Sequence, residues 1–152
     1  MACIHTTTAA TVRILLVDDA DSVRRALRHI LTSEPDFAVI GEAADGVQAV
    51  ALAAALRPDI IVLDLALPGI SGIEAARRIH AAGDAATIVM LTAFSSTAMR
   101  AAASDAGIAL FLEKSDDLDD LVERIRLLHN ETMRPDTLSE KNGGLLHGVG
   151  MC

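Results

Sequence analysis

Five polar residues stand directly after short apolar runs of the chain, at the points where parallel strands would end. Asp18 and Asp19 follow the first run, Asp64 the third, Thr92 the fourth and Lys114 the fifth. In an open parallel sheet, ligands bind beyond the carboxyl ends of the strands, so these side chains would share one edge. The sequence therefore predicts that three carboxylates, a hydroxyl and an ammonium converge on one point.

Such a group of side chains suits phosphoryl chemistry. Three carboxylates repel one another by about 4 kcal/mol per pair at about 4 Å and an effective dielectric constant of about 20, so a cation is expected among them. Hard oxygen ligands that leave room for water favour Mg²⁺. With a lysine and a hydroxyl added, the site can hold a phosphoryl group, whose transfer is catalysed mostly by positioning and charge neutralisation.

The lysine of this group is unusual for the chain, which has 11 arginines and only two lysines, Lys114 and Lys141. Against that preference for arginine, a lysine directly after a strand is less expected by chance. Its compact ammonium suits a single phosphate oxygen, whereas arginine would present a wider fork.

The elements that would position these residues alternate between strand and helix. Apolar runs predict strands over 12–17, 37–40, 60–63, 87–91 and 108–112. Helical spacing and helix-end signals predict helices over about 23–31, 46–56, 71–82, 97–106 and 118–128. Asp45 is expected to cap the second helix, and Ser71 with Glu74 forms a capping box for the third. Five such units predict an α/β fold whose parallel sheet is covered by helices on both faces.

Composition limits the classes of function. The chain has 152 residues, enough for one domain, a net charge of −8 and 2 % aromatic residues, so direct nucleic-acid binding is disfavoured. The N-terminus lacks a signal-peptide pattern, and no apolar run reaches membrane-spanning length. Cys3 and Cys152 lie at opposite ends and form no disulfide framework. We therefore expect a cytoplasmic protein without a membrane partner.

Four motifs at the strand ends carry a resemblance to a known family. They are Leu-Val-Asp-Asp at 16–19, Asp-Leu-Ala-Leu-Pro-Gly-Ile-Ser-Gly at 64–72, Leu-Thr-Ala at 91–93 and Phe-Leu-Glu-Lys at 111–114. Over residues 12–130 the sequence resembles the receiver domain of two-component response regulators. The resemblance implies a doubly wound (βα)5 flavodoxin-like sandwich with a five-stranded parallel sheet in the order 2-1-3-4-5.

The resemblance also implies a signalling switch that is activated by phosphorylation. Asp64 would accept a phosphoryl group from a sensor histidine kinase or a phosphotransfer protein, in a reaction that requires Mg²⁺. The ion would be bound by Asp64, by Asp19 directly, by Asp18 largely through water, and by the backbone carbonyl of Ala66. The domain would catalyse only its own phosphorylation and dephosphorylation, so it is not expected to be an enzyme for other substrates.

The remaining implied roles concern the response to phosphorylation. Thr92 and Lys114 would hold the phosphoryl oxygens, and Phe111 would change rotamer together with Thr92. The surface of the fourth helix, fifth strand and fifth helix would then change for a downstream protein partner, with Met99 and Arg100 as candidate contacts. A phosphorylation-dependent dimer is an open alternative.

The sequence departs from the family pattern next to the site. Ser115 stands where many members have a proline joined by a cis bond, which leaves that peptide geometry open. The two variable positions beside the site are Ala66 and Phe94, and neither has a polar side chain that orients water. We therefore expect slow loss of the phosphoryl group.

Alternative interpretations stay open at this point. Asp18 and Asp19 could simply cap the first helix, and the same fold could serve as a non-switching binding module or phosphate sink. A Mg²⁺-dependent phosphatase for outside substrates is disfavoured, because Ala66 stands two residues after Asp64, where one such family has a second aspartate.

The chain is predicted to divide into three parts. Residues 1–11 form an N-terminal extension, 12–130 the receiver domain, and 131–152 a tail. The tail has no hydrophobic period and contains Asn142-Gly-Gly144, so it is predicted to be disordered and to hold no output domain.

Overall fold

The computed structural model describes residues 11–93, 95–114 and 118–132. Most of the predicted extension at 1–11 and of the predicted tail at 131–152 lies outside these residues, as do Phe94 and Ser115. The Lys114–Ser115 peptide therefore also lies outside the described part of the chain.

Strands and helices alternate along the described residues, as predicted. The strands are β1 Val12–Val17, β2 Phe37–Ala43, β3 Ile60–Leu63, β4 Thr87–Thr92 and β5 Leu110–Glu113. The helices are α1 Asp21–Thr32, α2 Gly46–Leu56, α3 Gly72–Ala81, α4 Thr97–Asp105 and α5 Leu118–Thr132. The strands form a parallel sheet in the order β2-β1-β3-β4-β5, which confirms the predicted fold. The carboxyl ends of β1 and β3, the two central strands that carry aspartates, are neighbours.

The sheet separates two apolar layers because alternate residues of a strand face opposite sides. One face packs with α2, α3 and α4 around Leu15, Val17, Ile61, Leu63, Ile88, Met90, Ala53, Ile79 and Ala103. The other face packs with α1 and α5 around Ile14, Leu16, Ile60, Val62, Val89, Leu91, Leu31, Leu121 and Ile125. β1, β3 and β4 are buried on both faces, which explains why their sequences read as nearly continuous apolar runs.

Three strands differ from their predicted bounds, and β4 does so only by the one residue Thr92 at its end. β2 runs three residues further than predicted. Ile40 is an extra residue opposite the step from Ile14 to Leu15, and the pairing with β1 continues beyond it to Ala43. β5 runs from Leu110 to Glu113 rather than from 108 to 112. Ile108 lies outside the strand, in the turn that closes α4. The backbone N–H groups of Gly107 and Ile108 donate to the carbonyls of Ser104 and Ala103, in the pattern of a Schellman motif.

The helix ends follow the predicted signals where these are local. The Asp45 side chain accepts a hydrogen bond from the backbone N–H of Gln48 at the start of α2. The Ser71 side chain accepts one from the backbone N–H of Glu74 at the start of α3. None of the helices in the described ranges is long and apolar enough to cross a membrane.

Candidate functional site

The position of Asp64 is set by β1 and by the start of α3. Its backbone N–H donates to the carbonyl of Val17 at 3.0 Å, which joins the ends of β3 and β1. The backbone N–H of Gly72 donates to the carbonyl of Leu65 at 2.8 Å and draws α3 against the loop. Asp64 is only 5 % exposed, so its carboxylate is held in a largely buried environment.

Asp18 and Asp19 bring two more carboxylates to Asp64. The Asp18 backbone N–H donates to the carbonyl of Ala43 at 3.1 Å, and its Oδ1 accepts from the N–H of Ala20 at 2.9 Å. Asp18 is buried and Asp19 is exposed. One carboxylate oxygen from each of the three aspartates lies within 4.8 Å of the others. The three side chains predicted to converge are therefore together, with Asp19 on the solvent side.

Lys114 reaches this cluster from the end of β5. Its Nζ lies 2.6 Å from Oδ2 of Asp18 and 3.2 Å from Oδ2 of Asp64, so one ammonium bridges the two buried carboxylates. Its backbone N–H donates to the carbonyl of Thr92 at 2.6 Å, which ties the ends of β4 and β5 together. The side chain is partly exposed, so a ligand can approach the ammonium from solvent.

The surroundings of the cluster raise the pKa values of both Asp64 and Lys114. Burial raises the pKa of the Asp64 carboxyl, and the charge of Asp18 raises it further, while Lys114 partly opposes both effects. Burial by itself would lower the pKa of Lys114. The hydrogen bond to Asp18 and the charge of Asp64 outweigh burial, so the pKa of Lys114 is raised. The lysine is therefore charged at neutral pH, and its positive charge offsets the negative charge of one of the three neighbouring carboxylates.

Comparisons with known proteins identify the family. The family model described as the response regulator receiver domain matches residues 14–126. The chain is 37 % identical over 115 residues to the transcriptional regulatory protein LiaR of Bacillus subtilis, covering 76 % of this chain and 54 % of LiaR. It is 40 % identical to the response regulator MprA of Mycobacterium leprae, covering 84 % of this chain and 55 % of MprA. This chain belongs to the response regulator receiver domain family.

A solved structure agrees with this assignment. The fold matches a two-component response regulator of the LuxR family from Aurantimonas with a TM-score of 0.77 and 39 % identity, covering 86 % of this chain and 95 % of that chain. The chain spans about half the length of the curated relatives it matches. As a receiver domain it is a signalling module of a two-component system.

Arg24 of this receiver domain holds the backbone beside the aspartates, a role that was not predicted from the sequence. Its guanidinium donates to the backbone carbonyl of Asp18 at 2.5 Å and to Oε1 of Glu42 at 3.0 Å, and it also pairs with Asp21. Arg24 therefore links α1, the loop after β1 and β2. The sequence indicates only an arginine on the outer face of α1, because its partners lie on other elements.

The helix-cap interpretation of Asp18 and Asp19 does not fit the start of α1. The N-cap residue is Ala20, and no side chain among the described residues caps this helix. The side chain of Asp18 instead bonds to the N–H of Ala20 and to Lys114. The cluster, rather than helix capping, accounts for the position of Asp18.

Thr92 and Phe111 lie on one face of the sheet near the cluster. Thr92 ends β4 and is 3 % exposed, and it pairs in register with Glu113, two residues after Phe111. Phe111 is half-buried against the core on the side of α2, α3 and α4. Of the two candidate surface residues on α4, Arg100 is exposed and Met99 is half-buried.

Ala66 stands in the loop after Asp64, as predicted. It is exposed, and its backbone N–H lies 3.3 Å from Oδ1 of Asp64, to which it donates. The structure therefore brings Asp18, Asp19, Asp64 and Lys114 into one cluster and sets Ala66 beside it. The metal-binding role of its carbonyl stays a prediction.

Proposed function

We propose that Asp64 accepts a phosphoryl group from a phosphohistidine of a sensor histidine kinase or phosphotransfer protein. An oxygen of the Asp64 carboxylate attacks phosphorus, the histidine N–P bond breaks, and the released imidazole takes up a proton. The product is an acyl phosphate on Asp64. The observation that carries this proposal is the buried Asp64 carboxylate, 3.2 Å from the ammonium of Lys114 at the ligand-binding edge of the sheet.

Lys114 supplies positive charge to the phosphoryl oxygens in this proposal. Its ammonium now bridges Asp18 and Asp64, and its flexible stem allows it to exchange the Asp64 contact for a phosphoryl oxygen. Thr92, buried at the end of the neighbouring strand, contributes a hydroxyl to the same group. Both contacts are worth most in the transition state, when charge develops on the transferring group.

Mg²⁺ fits the donor set of this pocket. Three carboxylates whose oxygens lie within 4.8 Å of one another are offset by one bridging ammonium, which leaves an excess of negative charge. Asp18, Asp19, Asp64 and the carbonyl of Ala66 would hold the ion, and all are the oxygen ligands that Mg²⁺ prefers. When bound, the ion supplies positive charge that offsets the carboxylates and the phosphoryl oxygens.

The acyl phosphate then acts on a protein partner through Thr92 and Phe111. A phosphoryl group at Asp64 draws the Thr92 hydroxyl toward it, and Phe111, on the same face of the sheet, adjusts its rotamer. The surface of α4, β5 and α5 changes with it, and a downstream cytoplasmic protein reads that change. The domain transfers the phosphoryl group to and from itself and acts on no other substrate.

Intact-mass measurement with acetyl phosphate and Mg²⁺ tests the chemistry. We expect wild-type protein to gain one phosphoryl mass and Asp64→Asn to gain none. Asp105→Asn, an exposed aspartate on α4, is the matched control and should behave like wild type. Replacing Mg²⁺ with EDTA should abolish the gain. Modification of Asp64→Asn at the wild-type rate would refute the proposal.

The non-switching alternative is tested with the same variant. If the domain is a switch, Asp64→Asn loses the phosphorylation-dependent change in partner binding, and wild type retains it. Partner binding that is identical in the two proteins under phosphorylating conditions would favour a binding module or phosphate sink instead.

A further inference from the structure

Glu113, the last residue of β5, joins two segments at the start of α4 to the sheet. Its Oε2 accepts a hydrogen bond from the Ser95 hydroxyl at 2.8 Å. The same oxygen lies 3.8 Å from Nη2 of Arg100, one turn into α4. Ser96, the N-cap of α4, stands between these two partners in sequence. One carboxylate therefore contacts both the residue before the N-cap and the first turn of α4, and it holds them against β5.

Arg100 also covers the ring of Phe111. Its guanidinium carbon lies 4.8 Å from the ring centroid, a distance at which a cation is attracted to an aromatic face. Phe111 and Glu113 are two residues apart on β5, so both side chains stand on the same face of the sheet. The contact with Glu113 thus keeps the guanidinium above the ring.

α4 has little apolar packing to hold it by other means. In residues 97–105, all of which the structure describes, Ala103 is the one buried residue. In α3, by contrast, the buried residues include Ile73 and Ile79, two large apolar side chains. Elements with few buried apolar contacts open at low free energy. The polar contacts of Glu113 therefore contribute more to holding α4 on the sheet than polar contacts contribute to holding α3.

We propose that Ser95, Arg100 and Glu113 form a latch that holds α4 on β5 and keeps Phe111 beneath Arg100. The latch stabilises the unphosphorylated conformation, and it must open for α4 and Phe111 to move. This inference rests on the proposed function, because phosphorylation of Asp64 is the event that opens the latch. By linkage, opening of the latch must in turn shift the equilibrium toward the phosphorylated state by the same factor.

Hydrogen exchange of the α4 amides in the unphosphorylated 152-residue chain tests the latch directly. We expect Arg100→Ala and Glu113→Gln each to speed exchange in residues 97–105 by about two- to five-fold, as for loss of an exposed cation–π contact. Arg78→Ala is the matched control, since Arg78 on α3 has similar exposure and also pairs with a glutamate, Glu74 at 3.0 Å. It should leave α4 unchanged.

Rescue and coupling separate a latch from a general loss of packing. Arg100→Lys keeps a cation over the ring and should restore most of the slow exchange. The double variant of Arg100→Ala and Glu113→Gln should speed exchange by less than the product of the two single effects, because each single variant already loses the contact between Arg100 and Glu113. Wild-type exchange in both single variants, or full additivity in the double variant, would overturn the latch.

Phosphorylation by acetyl phosphate with Mg²⁺ tests the link to Asp64. Arg100→Ala should be phosphorylated faster than wild type, because more of the variant has the latch open, and Arg78→Ala should match wild type. An equal or slower rate in Arg100→Ala would overturn the coupling. Failure of wild type itself to gain a phosphoryl mass would instead refute the proposed function, while the exchange result would still decide whether the latch exists.

Discussion

Gly72 allows α3 to lie close to the loop after β3. Its replacement should therefore displace Asp64 and slow the phosphorylation of that residue. A Cβ at this position would lie 2.1 Å from the carbonyl oxygen of Asp64 and 2.9 Å from Cα of Leu65. Ordinary contact begins at 3.4 Å, so the loop or the helix must move by about 1 Å or more. Both clashing groups are backbone, and no side-chain rotamer can relieve them.

The expected cost of Gly72→Ala has two parts. Overpacking at a buried site destabilises by about 1–3 kcal/mol, which urea unfolding measures. A displacement of about 1 Å at a reacting group costs on the order of 100-fold in rate, so phosphorylation of Asp64 by acetyl phosphate should slow by about that factor. Intact-mass time courses measure the second effect below the urea transition, where the variant is folded.

Gly83→Ala separates these two effects. Gly83 has a φ of +86°, but a Cβ there would meet nothing within 4 Å. Alanine in this left-handed conformation costs about 1–2 kcal/mol, so this variant should lose similar stability but keep the wild-type phosphorylation rate. Folded Gly72→Ala that is phosphorylated as fast as Gly83→Ala would refute the reasoning that Gly72 positions Asp64.

Three further outcomes are expected in urea unfolding. Asp64→Asn should raise the free energy of unfolding at pH 7 without Mg²⁺, because burial and the charge of Asp18 raise the pKa of Asp64 and disfavour its ionised form. An unchanged urea midpoint would contradict this. The hydrogen bond from Arg126 lowers the pKa of Asp36 in the folded protein. The stability that this pair contributes is therefore present above the pKa of Asp36 in the unfolded chain, about 4, and is lost as pH falls through the pKa of Asp36 in the folded protein. Arg126→Met should make the free energy of unfolding depend less on pH in this range. An unaltered pH profile would contradict a stabilising pair between Arg126 and Asp36. Ser71→Ala should cost about 1 kcal/mol through loss of the cap on α3, whereas Ser71→Asp should retain the stability.

Much of the fold was predictable from local sequence patterns. Buried parallel strands read as apolar runs, so β1 and β3 have their predicted bounds, and the caps at Asp45 and Ser71 form as expected. The bounds of β2 and β5 were not predictable in the same way. A bulge in the pairing of β2 with β1 and a Schellman turn that takes up Ile108 depend on contacts between elements.

The sequence by itself determined which side chains stand at the ends of the strands, because strand ends and their polar residues are local features of the chain. Only the tertiary structure decided which of these touch. Lys114 bridges Asp18 and Asp64, Arg24 supports the carbonyl of Asp18, and Glu113 ties Arg100 to β5. These contacts join distant residues, so they depend on strand register and on the phase of each helix, which no local pattern specifies.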